Sequence, residues 1–207
     1  MTIKEMHQLF RVVGQQMGMQ TIRAILPEEI DVFLNMAINE KVNEVLASNV
    51  LSDTDKVLTG NAKIGNLNFF RTLQKQENIE TSGKLDMTEI MLITSCIVQY
   101  ELTGKLYTCR IVGADELAKV FNDYCTEPSY DYPVCSVKLM DKDIIIDIYT
   151  GTKNPIKRYV NYIKKPEIVS FENNINCDLP EYTHNEIVQL AVQKYFNSVG
   201  LTTQKVE

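Results

Sequence analysis

PEEIDVFLNMAINEKVNEVLA, residues 27–47, is the stretch from which the rest of the chain is read. Ile30, Phe33, Leu34, Ala37, Ile38, Val42, Val45 and Leu46 recur every three or four positions, the spacing of one broad helical face. Pro27 suits a first helical position, where a missing N–H costs nothing. Glu28, Glu29 and Asp31 place negative charge at the positive end of the helix dipole. Upstream, Thr2 and Glu5 form a capping-box pattern ahead of Ile3, Met6, Leu9, Phe10, Val13 and Met17, which predicts a short amphipathic helix over 3–17. Downstream, residues 48–63 are polar and predict a loop. Ile64, Leu67, Phe70 and Leu73 resume a spacing of three, which predicts a further helix ending before Ser82-Gly83.

After Leu85 the pattern changes. Residues 90–100 and 105–112 are rich in Ile, Val, Thr and Tyr, with Leu102-Thr103-Gly104 between them as a hairpin turn. Residues 114–124 predict a short helix, and Pro128 and Pro133 bracket an irregular stretch. Residues 134–140 and 144–149 predict a hairpin about Asp141-Lys142-Asp143, and 156–164 alternates until Pro166 stops it. The last element begins near Leu179-Pro180-Glu181. Thr183 and Glu186 offer a second capping box, and Ile187, Leu190, Ala191, Val192, Tyr195, Phe196 and Val199 supply an apolar face that Gly200 closes. The fold expected is α+β: N- and C-terminal helices packed as a small bundle, with an antiparallel β-rich region inserted. A single domain spans 1–207, helical over 1–80 and 179–200 and β-rich over 85–172.

Composition narrows the function classes. The 207 residues are 44% hydrophobic and 23% charged, and the net charge is −6. A chain of this length buries enough surface to fold without a metal or disulfide staple. The acid excess argues against a dedicated nucleic-acid binder. No apolar run reaches the roughly 20 residues of a membrane helix, and the N-terminus lacks the apolar core of a secretory signal, so a soluble protein of intracellular origin is expected. Cys96, Cys109, Cys125, Cys135 and Cys177 are odd in number and widely spaced, which fits buried free thiols better than a disulfide framework or zinc ribbon.

Motifs that carry chemistry are absent from the sequence. The two histidines, His7 and His184, have no Cys, Asp or Glu at metal-ligand spacing, so no metal or cofactor site is assigned. Cys177 with His184 is the one conceivable thiol–base pair of a cysteine hydrolase, but Asn176 and Asp178 flank the thiol and no third group orients it. Asp53/Asp55 and Asp141/Asp143 lack the glycine and distal glutamate of a calcium loop. No phosphate loop, nucleophile elbow or dinucleotide fingerprint occurs. No catalytic residue is assigned and a non-enzymatic role is expected. What remains is a basic, aromatic stretch over 156–166: Lys157, Arg158, Tyr159, Tyr162, Lys164, Lys165 and Pro166. Such a stretch can track a nucleic-acid backbone or serve a protein interface; the acidic whole favours an interface built on Arg158, Tyr159, Tyr162, Lys164, Lys165 and Pro166.

The order of parts resembles the head–tail connector (adaptor or ring) proteins of short-tailed, crAss-like bacteriophages. The residues that carry the resemblance are Pro27, Ile30, Leu34, Asn35 and Ala37 in the first helix, then Tyr162, Pro166, Leu179, Pro180, Glu186, Ile187 and Ala191. They cover about two thirds of the chain as loose patterns. The resemblance implies a virion protein, assembled in the host cytoplasm, that closes into a homo-oligomeric ring of about twelve copies between the portal protein and neighbouring tail or ring proteins. Genomic DNA passes through such a ring without specific binding, no membrane is involved, and there are no catalytic residues to carry over. The alternative is a nucleic-acid-binding or other phage scaffolding protein that uses 156–166.

Overall fold

The computed structural model describes residues 1–18, 24–51, 68–80, 82–100, 104–152 and 154–199. The chain divides into two compact units. One takes both ends of the sequence, Met1–Leu73 and Pro166–Glu207, and the other is the continuous stretch Gln74–Lys165. The fold is α+β, with the sheet unit inserted in the sequence between the parts of the helical one.

Helix α1 (Ile3–Gln16) starts at the expected capping box: the Thr2 hydroxyl accepts the Glu5 N–H, and the Glu5 carboxylate accepts the Thr2 N–H at 2.7 Å. Helix α2 (Pro27–Leu51) runs four residues beyond the expected end. Ile3, Met6 and Phe10 of α1 and Ile30, Leu34, Ala37, Ile38 and Val42 of α2 are buried, each set at the three-and-four spacing of a helical face. The closing helix, named α4 below, packs against both.

Apart from a bridge between Ser170 and Ile175, the return segment after Pro166 has no regular structure, so other backbone groups in it need partners from side chains. Two α2 residues one turn apart provide them. Asn35 Nδ2 donates to the Val169 carbonyl at 3.0 Å while its Oδ1 accepts the Val169 N–H at 2.9 Å, so one amide group stands in for a strand neighbour. Asp31 Oδ2 accepts the Phe171 N–H at 2.8 Å, and Asn176 Oδ1 accepts the Ile3 N–H at 2.8 Å.

The second unit holds seven strands: β1 (Gln74–Ile79), β2 (Ser82–Asp86), β3 (Ile90–Gln99), β4 (Leu106–Gly113), β5 (Val134–Met140), β6 (Asp143–Tyr149) and β7 (Lys157–Lys164). A short helix α3 (Leu117–Asn122) lies between β4 and β5, and α4 (His184–Ser198) follows a 3-10 turn (Glu181–Thr183) in the helical unit. The sheet order is β1-β7-β3-β4-β5-β6-β2. All pairs are antiparallel except β4–β5, so the sheet is mixed where a wholly antiparallel one was expected. The parallel pair requires a crossover, and α3 fills it: Val120 and Leu117 cover Val112 and Val134 on the outer face.

The sheet is rolled into an incompletely closed barrel. Leu85, Cys96, Val98, Cys109, Cys135, Ile146, Val160 and Tyr162 belong to one buried cluster, with Ile79 of the edge strand β1 packed against it. The two edges meet near their connection, where a Cβ on Gly83 would lie 2.8 Å from the Ile79 Cβ, so glycine permits the approach. Two register shifts in β3 break the period of two.

Several expectations change. The helix predicted to end before Ser82 gives way to strand β1 over 74–79; residues 52–67 lie outside the described residues. β1, QKQENI, has no apolar face and is a strand because β7 offers it a ladder. Strand structure therefore begins at Gln74, ahead of Leu85, and 166–172 belongs to the helical unit. The turn over 102–104 and the cap at Gly200 fall on, or largely on, residues outside those described. The second capping box does not form: the Thr183 hydroxyl donates to the Pro180 carbonyl at 2.7 Å and makes no bond to α4.

Candidate functional site

The basic stretch lies on β7, an interior strand of the sheet. β7 is paired along its length with β1 on one side and β3 on the other. Tyr162 points into the barrel and is buried; its hydroxyl donates to Glu77 at 2.7 Å, and burial together with that carboxylate pushes its pKa up to about 12. Arg158, Tyr159, Lys164 and Pro166 are half-buried, and Lys157 and Lys165 are exposed, Lys165 with its Nζ on the Met87 carbonyl at 3.2 Å. The backbone of this segment is committed to the barrel wall, and Pro166 marks the junction with the helical unit.

Cys177 and His184 make no nucleophile–base pair. His184 Nε2 bonds the Leu179 carbonyl at 2.8 Å, its Nδ1 has no hydrogen-bond partner among the described residues, and burial lowers its pKa. Burial raises the Cys177 thiol to about 11, away from the thiolate a nucleophile needs. His7 is likewise buried: its Nε2 bonds Asp31 Oδ1 at 2.7 Å and its ring stacks on Phe171 with centroids 4.8 Å apart. Burial lowers its pKa, and the Asp31 carboxylate only partly opposes this.

All five cysteines are free. Cys96, Cys109 and Cys135 are buried in the barrel, as expected of apolar thiols, whereas Cys125 is exposed. The Cys135 thiol donates to Cys96 Sγ at 3.1 Å, which lowers the Cys96 pKa, while burial pushes Cys109 up to about 12. Among the described residues no group of three or more His, Cys, Asp and Glu is placed to hold a metal ion. Among them, too, no helix is long and apolar enough to cross a membrane.

Of the residues quoted for the resemblance, all but Tyr162 belong to the helical unit. Leu34 and Ala37 on α2 and Ile187 and Ala191 on α4 are fully buried, and the two helices pack on one another. Lys41 bridges them through Glu186 at 2.6 Å, with Glu44 at 3.0 Å, and Lys194 pairs with Glu40. Sequence reasoning placed Asn35 in the pattern without finding its work on Val169. The signal was an Asn one helical turn after an Asp, both beside an otherwise apolar stripe.

A second feature of the sheet unit had no sequence signal. Beside β4, a groove of about 460 Å³ is bounded by Thr108, Arg110, Tyr124, Tyr132 and Pro133. Tyr124 and Tyr132 are 94% and 78% exposed.

No family model matches the chain, and no curated protein matches it.

Proposed function

We propose that the chain is a ring-forming structural protein of the head–tail connector of a short-tailed, crAss-like bacteriophage, working by geometry as a conduit for DNA. The observation that carries the reading is the union of α2 and α4 across the inserted sheet unit in the sequence. Four of the residues that resemble the connector proteins, Leu34, Ala37, Ile187 and Ala191, lie in the buried part of that helical unit. The acid excess also supports it, because a ring of net-negative subunits repels the phosphate backbone it must let pass. Subunits that meet head to tail and rotate to closure need no catalytic group.

Particles of the encoding phage, probed with antibody against this chain, should be labelled at the junction of head and tail. Image averaging there should find a closed ring of about twelve copies. Duplex DNA should bind the purified chain weakly. Absence of the chain from mature particles would sink the reading. So would tight duplex binding that weakens steeply with salt and is lost on Lys164→Gln with Lys165→Gln; that result favours the nucleic-acid alternative.

A further inference from the structure

The half-edge of β4 beside the groove is an unfinished ladder. The Arg110 N–H donates to the Pro133 carbonyl at 2.9 Å, so Arg110, Thr108 and Leu106, which alternate along the strand, aim their backbone groups at the β5 side. The β4–β5 register begins at Arg110 opposite Val134. One step further, a parallel ladder needs the N–H of residue 133 for the Thr108 carbonyl. Residue 133 is proline and has none. The ladder stops there, and among the described residues nothing bonds the Thr108 N–H or carbonyl on the groove side.

The side chains around this edge guard it lightly: Glu127 is the one carboxylate among the groove's lining residues, and Pro133 is the residue that ends the ladder. Natural edges carry charges or prolines that repel a further strand. β1, a true edge, does so with exposed Lys75 and Glu77. The β4 half-edge instead presents exposed Leu106, the two exposed tyrosines and Arg110. The Arg110 guanidinium donates to the Thr126 carbonyl at 3.3 Å and pairs with no carboxylate among the described residues. A cation with an open fork of donors calls for a carboxylate or similar anion. Aromatic rings of this exposure beside an arginine are the composition of an interface centre. The groove's volume lies in the range of natural ligand sites.

We propose that this groove takes an extended peptide segment of another protein, added as a strand to the β4 half-edge at Leu106–Thr108. Its backbone completes the ladder at Thr108, an acidic side chain reaches Arg110, and an apolar side chain lies between Tyr124 and Tyr132. Main-chain bonds supply affinity in this mode, and alternate side chains supply the choice of sequence. The proposal does not depend on the connector reading.

The test uses pools of acetylated, amidated hexapeptides of alternating Val and Thr, with one position fixed as Asp or Glu, against matched pools fixed as Lys. Binding to the full chain is read by anisotropy and by amide shifts. Acidic pools should bind, shift the Leu106 and Thr108 amides, and slow exchange at Thr108. Arg110→Gln should weaken binding about tenfold and erase the preference for acid over Lys. Tyr124→Ala and Tyr132→Ala should each weaken it several-fold. N-methylation of alternate amides in the best peptide should abolish binding while leaving the protein untouched, which separates strand addition from side-chain docking. Overturning results are no binding by any pool at millimolar peptide, equal binding of Lys pools, or indifference to N-methylation. Shifts confined to the β1 or β2 edge, or concentration-dependent dimers lost on Arg110→Gln, would also overturn it; the last would assign the groove to a second copy.

Discussion

The helical unit and the sheet unit solve the same problem, an irregular or interrupted backbone, by different means. In the helical unit the return segment is fastened by side chains of α2, with Asn35 and Asp31 supplying bonds to Val169 and Phe171. In the sheet unit the backbone fastens itself through the ladder, and at Pro133 the β4–β5 ladder stops. Buried titratable groups divide likewise. Both histidines belong to the helical unit, and the three buried cysteines belong to the sheet unit. Side-chain fastening therefore makes one unit sensitive to pH and to single polar substitutions. Ladder fastening makes the other depend on packing inside a barrel.

The largest effects should come from core truncation, and they should stay within a unit. Leu34→Ala and Ile146→Ala remove fully buried side chains, and each should cost about 2–5 kcal/mol. Hydrogen exchange should rise over α1, α2 and α4 for the first, and over the strands for the second. Thiol labelling of Cys96, Cys109 and Cys135 should accelerate only with Ile146→Ala. Equal loss of protection in both units from either change would show that they unfold as one and would break the contrast.

Next in size is Asn35→Ala. It strips both partners from the Val169 backbone, and each group left unsatisfied in a buried place costs about 1–3 kcal/mol. Asn35→Asp, which keeps one acceptor, should recover part of the loss in urea melts. Gly83→Ala probes the barrel seam, where the new Cβ meets Ile79; an overpacked contact of this kind costs about 1–3 kcal/mol. It should raise exchange in β1 and β2 first.

Acidification should separate the units more gently. His7 and His184 have folded pKa values below their ordinary 6.5, through burial. Between the folded and unfolded values the unfolded chain binds more protons, so their contribution is complete above about pH 6.5 and is lost as pH falls through the folded values. The sheet unit has no histidine. Its Asp147 is destabilised as a carboxylate by burial, but Lys138 and Ser82 outweigh that and hold its pKa below 3.8. Its share is lost only under stronger acid. Exchange measured from pH 7.5 down to pH 5 should rise in α1 and α4 while the strands hold, and the change should be smaller in His7→Gln. The smallest effect should be that of Thr2→Ala, which removes the α1 cap and costs about 1 kcal/mol, seen as fraying of its first turn.

Amino-acid order alone determined the elements whose pattern is local. The Thr2–Glu5 cap, the stripe of α2, the hairpin of β5 and β6 and the stripe of α4 follow from periodicity and turn chemistry within a window of a few residues. The barrel's thiols were also legible as small apolar residues, Cys125 excepted. Tertiary structure alone decided whatever depends on a distant partner. β1 has no apolar face and becomes a strand by pairing with β7, 79 to 89 positions away. β3 hides its alternation behind two register shifts. The parallel pairing of β4 with β5, the burial of Tyr162 and the pinning of Val169 by Asn35 join residues whose separation along the chain carries no signal. The physical reason is that periodicity records which face of an element is apolar. A ladder bond records only which backbone lies alongside, and every residue but proline offers the same N–H and carbonyl to whichever neighbour the fold supplies.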